Sequence, residues 1–225
     1  MKILTQLDNK FGANLNAFLS QDTVTCREID VRARAIAAIG QIASQGEGLQ
    51  PNQKEITSIF GEVFSDLILS VYFTACALDG PAQGVLRRSL ELGVAIVFLW
   101  DLPHAFWGWK MHDSDLNFNE MVEHLSKDGY KSFLASFKTE CGENDVFDCN
   151  EARRLYRILS NTIHGKITTH EASLPDSFSF NSTDCKYNLE LITRVQKILL
   201  HLFRSRFPDY FSEMANKIPA VNTII

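Results

Sequence analysis

Closely spaced cysteine pairs are lacking in this 225-residue chain. The five cysteines are spread along the chain, are odd in number and include no C-x-x-C pair: Cys26, Cys76, Cys141, Cys149 and Cys185. Secreted disulfide scaffolds and zinc ribbons need paired, closely spaced cysteines, so neither class is supported. A protein of the reducing cytoplasm is expected.

Long hydrophobic runs are also missing. The most apolar stretches are residues 67–78 and 92–100, and neither reaches the ~20 residues that a transmembrane helix needs. Asp8 and its polar neighbours interrupt the first residues, which therefore do not resemble a signal peptide. These stretches are predicted to be buried helix segments, and no membrane association is expected.

An excess of basic charge is absent too. The formal net charge is −5, so any contact with nucleic acid would have to be local, through a short basic strip. No phosphate-binding loop, G-x-G-x-x-G, G-x-S-x-G or H-E-x-x-H motif occurs. Glu120 and His124 have a spacing that could ligate a metal, but no second such pair follows, and a polar surface segment is the preferred interpretation. Neither a metal nor a cofactor is expected.

The sequence lacks the alternating apolar and polar pattern of β-strands, and its apolar residues have a helical period instead. Apolar residues recur every three to four positions from Ile3 to Phe18, as on one face of a helix. Thr25-x-x-Glu28 is a candidate capping box, and Gly80-Pro81 a candidate helix end. The sequence predicts an all-α helical bundle of about five long helices with short accessory helices. After the first helix, the long ones are expected near 28–44, 51–78, 82–100, 151–165 and 187–207, and short ones near 118–125 and 130–137.

The chain is predicted to form a single helical domain over residues 1–225. Within it, residues 1–46 hold N-terminal helices, residues 51–207 form the core bundle and residues 208–225 form a C-terminal tail. A chain of this length can bury one large core without dividing into two domains.

Glu91 is the only charged residue in the apolar stretch 89–100. A carboxylate among apolar neighbours is costly unless it is paired. Arg87 and Arg88 lie four and three residues earlier, so both can reach it along the helix. Glu91 is therefore either part of an ion pair at the rim of the core or a support for a site residue on another helix.

The stretch "LYRILSNTIHGK", residues 155–166, places Arg157 and His164 seven residues apart. On a helix they share one face with ~10.5 Å of rise between them, and Asn161 lies on the same stripe. Ser160 is four residues before His164 and could hydrogen-bond to it. An Arg that binds phosphate and a His that moves protons suit metal-independent RNA cleavage by the 2′-hydroxyl.

The same spacing recurs at Arg194 and His201, so spacing alone does not identify a site. Lys197 and Arg204 continue that face, opposite an apolar face of leucines and valine. This second set, Arg194, Lys197, His201 and Arg204, is either the solvated side of an amphipathic helix or a local basic strip for RNA.

Two motifs resemble the HEPN family of helical proteins. "LYRILSNTIHGK" is similar to the family's Arg-x4–6-His helix, and "VLRRSLELGVAIVFLWDLP" is similar to its central helix. The resemblance covers residues 52–207. It implies a phosphate-contacting role for Arg157, catalysis by His164 and support from Glu91. It also implies a homodimeric endoribonuclease in toxin–antitoxin or phage-defence systems, acting on RNA and paired in some cases with a nucleotidyltransferase-type antitoxin.

Two departures from the family pattern keep an alternative open. Ile158 follows the Arg where the family often has a polar residue, and the Arg–His spacing is at the long end. The alternative is a non-catalytic binding or regulatory module built on the same bundle, because a fold does not determine a function.

Overall fold

The computed structural model describes residues 2–21, 23–136, 146–163 and 178–225, and within these ranges the chain is helical with no strand. The all-α class is confirmed. The helices are α1 Lys2–Leu19, α2 Thr23–Ser44, α3 Pro51–Ile56, α4 Ile59–Ala75, α5 Asp79–Asp101, α6 Pro103–Lys110, α7 Phe118–Ser126, α8 Asp128–Ser136, α9 Cys149–Ile163, α10 Ser182–Arg206 and α11 Pro208–Lys217, followed by a 3₁₀ turn, Pro219–Thr223.

Helix α5 lies at the centre of the bundle. It packs along α4 and also contacts α3, α6, α7, α9 and α10. Its sequence explains this position, because from Leu90 to Trp100 it is apolar on almost every side and can be covered on almost every side. The described residues form one continuous hydrophobic core around it.

Helix α2 forms the opposite side of the bundle, against α4, α10 and α11. Its Arg32 is almost completely buried. The guanidinium donates to Glu28 at 2.7 Å and to the carbonyl of Ile224 at 3.1 Å. The stretch after Pro208, expected to be a tail, consists of α11 and the 3₁₀ turn, with Met214 and Val221 buried against the core.

Two predicted helix boundaries near α2, α3 and α4 were wrong. The predicted helix 51–78 is broken at Thr57 and Ser58, whose hydroxyls donate to backbone carbonyls of the preceding turn at 2.7 Å each. Such local bonds compete with the helical ladder. Helix α2 begins at Thr23, so the capping box expected at Thr25 and Glu28 lies inside the helix.

The α4–α5 turn also differs from expectation. Gly80 and Pro81 belong to the first turn of α5, and the end of α4 is made by Ala77, which has a φ of 60°. The amide of Ala77 donates to Thr74 O at 3.0 Å and that of Leu78 to Phe73 O at 2.8 Å. These two bonds form a Schellman motif, in which glycine is the usual residue at the left-handed position.

Replacing Ala77 with glycine is expected to raise the free energy of unfolding by about 0.5–1 kcal/mol, because glycine has no Cβ to strain at positive φ. Gly48, with a φ of 75° and open space around it, provides the reverse control, since Gly48→Ala should lower stability. Urea denaturation of both variants measures the effect. A less stable Ala77→Gly variant would contradict this account of the turn.

In the described part of the chain, one stretch, Pro51–Ala75, is long and apolar enough to cross a membrane by length and composition alone. It consists of the two helices α3 and α4. Asp66 within it is buried and forms an ion pair with Arg88 at 2.7 Å. The stretch is weak evidence for a membrane span, because core helices of soluble proteins meet the same test.

Candidate functional site

Helix α9 carries residues 155–163 of the candidate stretch and begins with a side-chain cap. Asp148 accepts a hydrogen bond from the amide of Glu151 at 2.9 Å, as N-cap residues do. Ala152, Leu155 and Leu159 are fully buried and form its inner side. The described part of α9 ends at Ile163, so His164 lies outside the described residues.

Arg157 and Asn161 lie one turn apart on the outer side of α9, and both are exposed. Among the described residues neither has a hydrogen bond or an ion pair. Ser160 differs, because its hydroxyl donates to the Tyr156 carbonyl at 2.6 Å, within its own helix. We call Arg157 and Asn161 the α9 stripe. No described residue pairs with either of its two side chains.

Glu91 is joined to α9 through Arg87, and not through Arg157. One guanidinium nitrogen of Arg87, Nη2, donates to Tyr156 Oη at 2.6 Å and to Glu91 Oε1 at 3.1 Å. Arg88 does not pair with Glu91 as the sequence allowed, but binds Asp66 and Glu62 on α4. Glu91 therefore belongs to an ion pair at the rim of the core, the first of the two interpretations above.

The Arg87–Tyr156 contact holds α9 on α5 and α7. The Arg87 Cζ atom lies 4.7 Å from the centroid of the Tyr156 ring, and Phe118 of α7 stacks on the same ring at 4.2 Å. Burial by itself lowers the pKa of Arg87, but the hydrogen bond with Tyr156 and the charge of Glu91 outweigh it, and the pKa is raised. Arg87 thus stays charged, and the inner side of α9 is firmly held while its stripe faces outward.

Arg194, the first residue of the basic set on α10, is paired across to α9. Its Nε donates to Glu151 Oε1 at 2.7 Å, and Nη2 contacts the same oxygen. Glu151 also lies 3.8 Å from Arg154 of α9, so it joins the outer surfaces of the two helices. The charge of Arg194 is already balanced, and its part in the proposed basic strip is structural.

The other three residues of the set, Lys197, His201 and Arg204, follow one another along α10, and none has an acidic partner among the described residues. His201 and Arg204 line a surface groove of about 460 Å³. Its lining residues are Val146, Phe147, Asp148, His201, Arg204 and Ser205. Burial lowers the pKa of His201, and the charges of Arg204 and Lys197 lower it further. These three influences all favour the neutral imidazole.

No cluster of three or more His, Cys, Asp or Glu side chains suited to a metal ion occurs in residues 2–21, 23–136, 146–163 and 178–225. His124, the sequence's candidate metal ligand, packs edge-on against Phe98 with ring centroids 5.3 Å apart. Burial is the main cause of its lowered pKa. The position of His124 is explained by its packing against aromatic side chains.

Two contributors to this region are absent from the residues that the sequence singled out. Tyr156 precedes Arg157 and accepts a hydrogen bond from Arg87 of α5. Residues 146–148 reach the region only through their spatial contact with α10. No protein-family model, curated protein or solved structure matches the chain.

Proposed function

We propose that this protein is a metal-independent endoribonuclease of the HEPN type, in which Arg157 binds the scissile phosphate. One observation carries the proposal: Arg157 is exposed beside Asn161 with no partner among the described residues. Three arginines on other helices, Arg87 and Arg88 of α5 and Arg194 of α10, are engaged in ion pairs.

The reaction needs few groups. The 2′-hydroxyl of a ribose attacks the adjacent phosphorus, the bond to the 5′-oxygen breaks, and a 2′,3′-cyclic phosphate and a 5′-hydroxyl result. An arginine fork stabilises the charge on the phosphate oxygens as it develops. His164 would take the proton from the 2′-hydroxyl or give one to the leaving oxygen, and Asn161 would orient the substrate.

A homodimer would complete such a site. On one protomer the α9 stripe faces solvent, where phosphate contacts are weakened by water. A second copy placed against the stripe would supply the missing wall and exclude water. A ribonuclease of this kind in a toxin or phage-defence system would need control, and a nucleotidyltransferase-type antitoxin is the partner implied by the resemblance.

RNA cleavage in the presence of EDTA tests the proposal. Arg157→Ala is expected to slow cleavage roughly 10- to 100-fold, because it removes a charged hydrogen bond to the phosphate. His164→Ala should abolish it. Arg157→Lys should retain part of the activity, since it keeps the charge but loses the fork.

Arg34→Ala is the matched control, because Arg34 is an exposed arginine on α2, paired only with Asp30 of its own helix among the described residues. Its cleavage rate should equal that of the wild type. Absence of cleavage by the wild type, or equal rates in all variants, would exclude the ribonuclease.

A non-catalytic binding module is the second candidate. Arg157 is exposed and does not line the groove described above, which suits a recognition surface as well as a half-site. In that case Arg157→Ala would weaken binding to RNA or protein, while His164→Ala would leave RNA intact and binding unchanged.

A further inference from the structure

We propose that the groove between residues 146–148 and the C-terminal half of α10 binds a phosphodiester of the RNA strand, next to the α9 stripe. The proposal rests on the function proposed above only for the identity of the strand. The groove itself is defined by six residues of two segments that are distant in sequence.

Arg204 in the groove and Lys197 beside it are placed for an anion, with the imidazole of His201 between them. Lys197, His201 and Arg204 are spaced by four and three residues, so their side chains follow one another along one face of α10. Arg204 is supported from behind, since its Cζ lies 5.8 Å from the ring centroid of Phe211 on α11. A guanidinium held on an aromatic ring loses less side-chain entropy when it binds a ligand.

The opposite wall is also held in place. The hydroxyl of Ser205 on α10 donates to the carbonyl of Val146 at 2.8 Å, which joins the two segments across the base of the groove. Phe147, next in the chain, is buried in the core. The width of the groove is therefore set by the fold.

Asp148 is the acidic residue of the groove, and it is already engaged. Its carboxylate caps α9 by accepting the amide of Glu151. The partial positive charge of a helix N-terminus offsets a carboxylate in this position. Arg204, with Lys197 beside the groove, thus supplies the positive charge that a ligand in the groove would meet.

The groove and the α9 stripe can be joined by one strand. Asp148, at the groove, and Arg157 are nine residues apart along α9, a rise of ~13.5 Å and about two and a half turns, so they lie on opposite sides of the helix axis. Glu151 and Arg154 lie between them along the chain. Glu151 accepts from Arg194 of α10 and lies 3.8 Å from Arg154, so a strand that joins the two sites would pass over this pair. A segment of a few nucleotides could have one phosphate at Arg157 and another in the groove.

Binding of a 2′-O-methyl oligouridylate, which has no free 2′-hydroxyl and cannot be cleaved, tests the groove. Lys197→Ala and Arg204→Ala are each expected to weaken binding roughly tenfold. Each should also reduce the dependence of log K on log salt by about 0.7 for every phosphate that the variant no longer neutralises. Arg34→Ala should bind as the wild type does. Circular dichroism and thermal unfolding establish that all variants fold.

The titration of His201, followed by NMR, gives a second measurement. A phosphate in the groove should raise the pKa of His201, which burial and then the charges of Arg204 and Lys197 lower in the free protein. Arg204→Ala should raise it without ligand and abolish the further rise on binding. A structural role for Arg204 would not produce that response to the oligonucleotide.

The outcomes separate the two proposals. If the wild type binds RNA through the groove but does not cleave it, the ribonuclease proposal is excluded and the groove remains an RNA-binding site. Cleavage that depends on Arg157, together with wild-type binding by Lys197→Ala and Arg204→Ala, overturns the groove and leaves the ribonuclease. No binding by the wild type, or equal weakening by Arg34→Ala, also overturns the groove.

Discussion

Asp101→Asn is expected to lower the free energy of unfolding by about 3–5 kcal/mol, because it removes one partner of a buried ion pair. Asp101 ends α5 and Arg206 ends α10, and their side chains are only 6% and 15% exposed. Arg206 binds the carboxylate with two nitrogens, at 2.8 Å and 2.6 Å, and Tyr130 of α8 donates to it at 2.8 Å. The side-chain amide of the Asp101→Asn variant has a single acceptor oxygen and can accept only part of these three hydrogen bonds. The guanidinium of Arg206 would also lose the negative charge that balances it.

The exposed pair Arg34–Asp30 on α2 is the control for this prediction. Its side chains are 67% and 47% exposed, so Asp30→Asn should change stability by no more than about 0.5 kcal/mol. Urea denaturation followed by circular dichroism measures both variants. Similar midpoints for Asp101→Asn and Asp30→Asn would mean that the α5–α8–α10 junction is not held by this ion pair.

Gly40→Ala is expected to lower the free energy of unfolding by about 3 kcal/mol, because α2 and α4 would no longer fit together. A Cβ on Gly40 would lie 2.4 Å from the Cβ of Phe60. That atom is held by the α4 backbone, so no change of rotamer relieves the clash. Phe60 is itself buried against Phe203, with ring centroids 5.0 Å apart.

Gly84→Ala on α5 is the matched substitution, since a Cβ there meets no atom within 4 Å. It should stabilise the protein by about 0.5–1 kcal/mol, as expected for removing glycine from a helix interior. The midpoint of thermal unfolding should then fall for Gly40→Ala and rise for Gly84→Ala. A Gly40→Ala protein as stable as the wild type would show that the two helices can separate at little cost.

The sequence was sufficient to predict the all-α class and the helices at α5, α9 and α10, because their apolar residues follow a clear helical period. The break between α3 and α4 at Thr57 and Ser58 could not be predicted, because both residues fit the helical period. The feature that distinguishes them is a hydrogen bond from each hydroxyl to a backbone carbonyl of the preceding turn. The end of α4 was misplaced because Gly-Pro is a stronger signal than Ala77, an alanine at positive φ.

The candidate site was predictable only within a single helix. Periodicity places Arg157 and Asn161 on one side of α9 without knowledge of any other contact. The partners of Glu91 and Arg194 were not predictable, because Tyr156 and Glu151 lie on another helix. The groove depends on Val146 and Ser205, which are 59 residues apart in the chain.

The buried and the exposed side of α9 differ in what they contribute to folding, and this affects which substitutions the protein can accept during evolution. Tyr156, Leu155 and Leu159 pack the helix against the bundle. Arg157 and Asn161 make no hydrogen bond or ion pair with any described residue. Substitutions at the outer pair would cost the fold little, so drift would erase them in the absence of selection on activity. Retention of Arg157 and Asn161 in diverged relatives would therefore report selected function, and retention of Tyr156 would report only folding.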